Sequence, residues 1–151
     1  MTHTRVSSNE RRRWMGILAC APRQALEDAW AAASISVEYN FLRRPETGLV
    51  MVRGRACGKG QRFNLGEVTV TRCAVQQGGR VGHAYVAGRD ARHAELAALF
   101  DALLQDEGLR DRLKREVLAP LVQIRQARNV AERGCAAATR VNFFTIVRGE
   151  D

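Results

Sequence analysis

The stretch from Gly82 to Gln105, GHAYVAGRDARHAELAALFDALLQ, constrains the fold more than any other part of the chain. A short strand runs without a linker into a Gly88-Arg89-Asp90 turn. A strongly amphipathic helix follows, with Leu96, Leu99, Phe100, Leu103 and Leu104 at helical spacing. A strand that feeds directly into such a helix packs its own sheet against it, which points to an α+β domain built around this unit. The turn also concentrates Arg89, Asp90, Arg92, His93 and Glu95 at a helix N-terminus. On the helical wheel His93 falls inside the apolar stripe and Glu95 on its flank. Asp90 is placed to cap the helix through the backbone N–H of residue 92 or 93. Two roles stay open for the cluster, an anion- or partner-facing rim or a helix cap with a satisfied histidine.

The rest of the chain is organised around that unit. Residues 1–8 are polar and are expected to be flexible. Asn9 is expected to cap a helix carrying Trp14, Ile17, Leu18 and Ala21, with Arg11, Arg12 and Arg13 forming a solvated basic face. Pro22 ends it, and a second helix runs from Arg23 to Ala33. From Ile35 the period becomes two, with Ile35, Val37, Tyr39 and Phe41 alternating against polar neighbours. Pro45-Glu46-Thr47-Gly48 reads as a turn into a second strand, Leu49 to Cys57. A third strand, Phe63 to Gln76, has an alternation that slips and requires a bulge near Gly66-Glu67 and another irregularity near Arg72. A Gln77-Gly78-Gly79-Arg80 hairpin leads to a fourth strand, Val81 to Ala87. Asp106-Glu107-Gly108 reads as a helix stop, followed by helices over about 109–118 and from Pro120 to about 137. The β-prone tail Arg140 to Gly149 is expected to add an edge strand or to lie against another subunit. The expected order is ααββββαααβ. It describes one α+β domain over residues 9–151, with a mainly antiparallel four- to five-stranded sheet and a flanking helical layer.

Composition excludes several functions. Within 151 residues no apolar run approaches the ~20 residues of a membrane span. No export signal is evident, and cysteines 20, 57, 73 and 135 form no close pair, so a cytoplasmic setting with free thiols is expected. The net charge is +8, and all but two of the 24 basic residues are arginine. Codon bias and recognition of phosphate, phosphonate or an acidic partner explain that skew equally well. His93-Ala94-Glu95 is half of a zinc deaminase pattern, but the Cys-x-x-Cys half is missing. There is no P-loop, no Gly-x-Ser-x-Gly elbow and no iron–sulfur spacing. A basic nucleic-acid-binding protein is an alternative on charge, although the nine aromatics do not alternate with basic residues.

Several strings together resemble one family. They are Arg44-Pro45-Glu46-Thr47-Gly48-Leu49-Val50, Phe63 to Arg72, Gly82 to Asp90 followed by His93-Ala94-Glu95, and Arg140 to Gly149. In this order they resemble the G subunit of the bacterial carbon-phosphorus lyase system, the phosphonate metabolism protein PhnG. The resemblance implies an accessory subunit of a core complex with H, I and J subunits. In that complex a phosphonate displaces adenine from ATP to give a ribose 1-phosphonate 5-triphosphate. It implies that nucleosidase-type chemistry lies mainly on the I subunit and radical cleavage on the iron–sulfur J subunit. ATP and phosphonate are then substrates of the complex, and this chain needs no cofactor or metal of its own. No catalytic residue carries over. The candidates for an anion- or partner-facing role are Arg72, Arg89, Asp90, Arg92, His93 and Glu95. Those for an assembly interface are Arg140, Asn142, Phe143, Phe144 and Arg148. A purely structural subunit is the competing expectation.

Overall fold

The computed structural model describes residues 6–139. Helices α1 (Ser8–Cys20) and α2 (Arg23–Ala33) are followed by strands β1 (Asn40–Arg55), β2 (Arg62–Gln77) and β3 (Arg80–Ala87). Helices α3 (Ala91–Leu104), α4 (Glu107–Leu113) and α5 (Ala119–Ala138) follow, with a π-helical turn over Lys114–Leu118 between the last two. The class is α+β, as expected. The strand count is not: among the described residues the sheet has three antiparallel strands in the order β1-β2-β3. The tail residues Arg140, Asn142, Phe143, Phe144 and Arg148, and the edge strand expected there, lie outside the described residues.

The missing strand has a physical cause. Pro45-Glu46-Thr47-Gly48 does not turn; it lies within β1, so two expected strands are one. Proline cannot donate to a ladder, and the chain absorbs it with irregularities rather than a reversal. Pairing shifts between Phe41 and Arg43 and again between Arg43 and Glu46, opposite Val75 to Arg72. The irregularity expected within the third strand near Arg72 is not found there: β2 pairs with β3 without a shift from Val70 to Gln77, and the extra residues sit on β1 instead. The bulge expected near Gly66 is found as read: Val52 faces Gly66 while Arg53 faces Asn64, leaving Leu65 as the extra residue. Residues 35–39 are not strand, yet Ile35, Val37, Tyr39 and Phe41 still pack on the core while their neighbours face solvent.

Two helix starts also differ. Ser7, not Asn9, caps α1 by accepting from the Glu10 N–H at 3.2 Å. Asp106 begins a helix rather than ending one, accepting from the Gly108 N–H at 2.8 Å. Helix α3 lies against the sheet with α1 and α2 over it. Every residue from Leu96 to Leu104 is buried, so this helix is buried all round instead of amphipathic. Gly82, Ala84 and Val86 of β3 and Thr71, Cys73 and Val75 of β2 face it, while Arg72, His83 and Tyr85 stand on the open face of the sheet. Trp30 of α2 meets Phe100 edge-to-face, ring centroids 5.4 Å apart.

Several arginines do structural work that composition could not show. The guanidinium of Arg110 donates to the carbonyls of Leu104 (2.9 Å) and Gln105 (3.1 Å), at the end of α3. That of Arg112 donates to Ala33 O at 3.1 Å, at the end of α2. Cations at helix C-termini satisfy orphan carbonyls and complement the dipole.

Candidate functional site

The junction between β3 and α3 is held by backbone and hydroxyl bonds. The Gly88 N–H donates to Thr69 O at 2.8 Å, and the buried Thr71 hydroxyl donates to Gly88 O at 2.7 Å. Asp90 is the N-cap: its Oδ1 accepts from the His93 N–H at 2.9 Å, and Arg23 lies 3.9 Å from its Oδ2. The buried His93 ring places Nε2 2.8 Å from Leu18 O. A carbonyl only accepts, so Nε2 carries the proton and the ring ties α3 to α1.

Glu95 is shared between two donors. Its Oε1 accepts from the Tyr39 hydroxyl at 2.5 Å and its Oε2 from Arg92 Nη1 at 3.0 Å. The hydrogen bond to Glu95 and partial burial push the Tyr39 phenol up to about 12. An unfolded tyrosine releases its proton near 10, so folding holds this proton more tightly. The stabilisation is complete below about pH 10 and is lost as pH rises from there through about 12. In a Tyr85→Phe background, tyrosinate absorbance should report Tyr39 with a midpoint near 12. Glu95→Gln should bring that midpoint down; an unchanged midpoint would break the assignment.

The six candidates therefore do not form one constellation. Arg72 lies on the open face of the sheet and donates from Nε to Glu46 Oε1 at 2.6 Å. Arg92 and Tyr39 line a cavity of about 240 Å³ with Trp30, Ile35 and Val37. His93 borders a groove of about 470 Å³ between α1 and α5 that includes Arg125 and Arg128. Arg89 is exposed and makes no hydrogen bond or ion pair among the described residues, leaving its guanidinium available. No group of three or more metal-ligating side chains occurs among the described residues, and no described helix is long and apolar enough to cross a membrane.

The polar centre that sequence reasoning missed lies one helix-length away. Asp101 is fully buried in α3. Its carboxylate accepts from Arg11 Nε at 3.1 Å, Arg11 Nη2 at 2.7 Å, Trp14 Nε1 at 2.8 Å and the His83 N–H at 2.9 Å. Arg11 Nη2 also donates to Val81 O at 2.9 Å. Arg11 thus belongs to a buried network, not to the solvated basic face expected of it, whereas Arg12 and Arg13 are exposed. The network fixes α1 across the start of β3 and leaves an open groove of about 650 Å³ beside it, bordered by Met15, Gly16, His83 and Tyr85.

Among the described residues these features define a small α+β domain with a three-stranded sheet, helices on one of its faces, and a polar junction whose side chains, Arg89 apart, are committed to structure. The chain belongs to the PhnG family: the family model described as phosphonate metabolism protein PhnG matches residues 9–149. It is similar to the alpha-D-ribose 1-methylphosphonate 5-triphosphate synthase subunit PhnG of Rhizobium meliloti (strain 1021). The two are 46% identical over 145 residues, covering 94% of this chain and 91% of the relative.

Proposed function

We propose that the chain is an accessory subunit of a ribose 1-methylphosphonate 5-triphosphate synthase complex acting in phosphonate catabolism. The observation that carries this reading is the near full-length relationship to a synthase subunit at 46% identity. In this reading the complex, with H, I and J subunits, transfers a phosphonate onto the ribose C1 of ATP. A phosphonate oxygen forms the new bond to ribose C1 as the glycosidic C1–N bond breaks, and adenine leaves with a proton on the nitrogen released. The chain is not catalytic alone: Asp90, His93, Glu95 and Arg92 are engaged in holding α3, α1 and the Tyr39 segment together. A cytoplasmic setting is supported by Cys20, Cys73 and Cys135 standing unpaired.

Within this reading Arg89 is the residue that meets an anion. It sits in the turn before α3 with a free guanidinium, and a charge-assisted hydrogen bond to phosphate or phosphonate is worth about 1.5–3 kcal/mol. Purified complex carrying Arg89→Ala should assemble as the unaltered complex does and release adenine at least about tenfold more slowly, the rate equivalent of ~1.4 kcal/mol. Undiminished adenine release in an assembled complex would remove Arg89 from the reaction and favour a purely structural subunit. That second reading draws its support from the same engaged side chains.

A further inference from the structure

Strand β3 ends at Ala87, opposite Val70. Beyond that point β1 and β2 continue without a third strand among the described residues, paired from Leu49 with Thr69 to Arg55 with Arg62. These seven pairs make a ribbon roughly 20 Å long at ~3.3 Å per residue, with neither edge paired to another strand among the described residues. Such a ribbon is marginal in water by itself. Yet Leu49, Val50, Met51, Phe63, Leu65 and Val68 are between 43% and 66% exposed along it. Val50 faces Val68 on one side, and Leu49 and Met51 lie on the other, so both faces present apolar surface. Contiguous exposed apolar surface of this kind marks a docking site.

Charge selects the occupant. Residues 49–70 carry Arg53, Arg55, Lys59 and Arg62 against Glu67 alone. The Arg53 guanidinium donates to Asn64 Oδ1 at 3.2 Å and that of Arg55 to Gly60 O at 3.2 Å, both neutral acceptors. None of the four cations takes part in an ion pair among the described residues. A second copy of the ribbon would bring like charges together, which an interface disfavours. Phe63 is the ribbon's only aromatic, so it offers no stacking platform for nucleic acid. We infer that the β1–β2 ribbon is an assembly arm that inserts into an apolar, acid-rimmed groove of a different polypeptide of the complex. The inference rests on the reading of this chain as a complex subunit.

The full chain is co-expressed with the H, I and J subunits and compared with two double variants, Met51→Glu/Leu65→Glu and Arg53→Glu/Arg55→Glu. All four positions are exposed or at the ribbon surface, and circular dichroism with thermal melting of each isolated variant checks its fold. Each double variant should reduce co-purification at least tenfold, whereas Val130→Glu, at an exposed apolar position on α5, should leave it unchanged. Hydrogen exchange on the unaltered protein gives a second readout. Ribbon amides should exchange rapidly in the isolated chain and become protected in the complex. Full co-purification of folded arm variants, with no new protection, would overturn the inference and leave the subunit reading standing. Failure of the unaltered chain to bind any sibling would overturn both. A homodimer that the arm variants dissolve, or binding to anionic vesicles that they abolish, would assign the arm to another occupant and overturn it as well.

Discussion

Asp101→Ala should lower the free energy of unfolding by about 3–5 kcal/mol, the cost of breaking a buried ion pair from one side. The carboxylate is wholly buried and each oxygen takes two donors, so its removal strands more than a charge. The Trp14 indole N–H loses its acceptor in a buried position, and the His83 backbone N–H loses its acceptor in a partly buried one. Arg11 suffers less, because its side chain is 31% exposed and can recover solvation. Arg11→Ala has a different fault: it leaves the negative charge of Asp101 buried with two neutral donors. Asp101→Asn keeps one acceptor oxygen and should be the mildest of the three. Urea unfolding of the isolated chain, with unchanged slope, would give these values. The Arg11→Ala/Asp101→Ala pair should cost at least about 1 kcal/mol less than the sum of the singles, because the groups form one network. Losses below about 1 kcal/mol for both single alanine variants would mean that the network does not hold α1 to the sheet.

The sequence made the Gly82–Gln105 unit legible because both of its signals are local. Alternation in β3 and the Asp90 cap are written within a few residues of where they act, and both appear in the structure. The bulge at Leu65 was legible for the same reason, since a slipped alternation needs an extra residue. What failed depended on partners distant in sequence. Pro45 and Gly48 are turn residues by every local rule, but a long partner strand, β2, holds them in β1. The amphipathic reading of α3 failed because α1 and α2 cover the side that local periodicity leaves to solvent. Asp101 escaped notice although a signal existed: it is an acid in the run Ala94-Glu95-Leu96-Ala97-Ala98-Leu99-Phe100-Asp101-Ala102-Leu103-Leu104, flanked by apolar residues. Its partners come from Arg11, Trp14 and His83, and no spacing rule links residues that far apart. The candidate cluster was legible as a junction; that its members point to different faces required the fold.

Gly82→Ala should be more damaging than any other single-methyl addition considered among these glycines. The strand residue Gly82 is buried under α3, and a Cβ there would lie 1.9 Å from Ala98 O, 2.7 Å from Ala102 N and 2.9 Å from Ala102 Cβ. Two of these atoms are helix backbone, which no rotamer change can move. The methyl must either push α3 off β3 or distort the strand, and α3 contributes more of the core than any other element. Overpacking in a tight core typically costs 1–3 kcal/mol and can exceed that; a clash with backbone belongs at or above the top of the range, about 3 kcal/mol or more. Ala102→Gly cannot rescue it, since that substitution removes only the outermost of the three contacts. The same change at Gly16 in α1, where nothing lies within 4 Å of the added methyl, should instead stabilise by about 0.5–1 kcal/mol through helix propensity. Thermal melts of Gly82→Ala, Gly82→Ala/Ala102→Gly and Gly16→Ala would test both signs. A Gly82→Ala protein as stable as the parent would show that α3 and β3 are separated enough to admit a methyl group, and the close helix–sheet contact on which the fold depends would have to be redrawn.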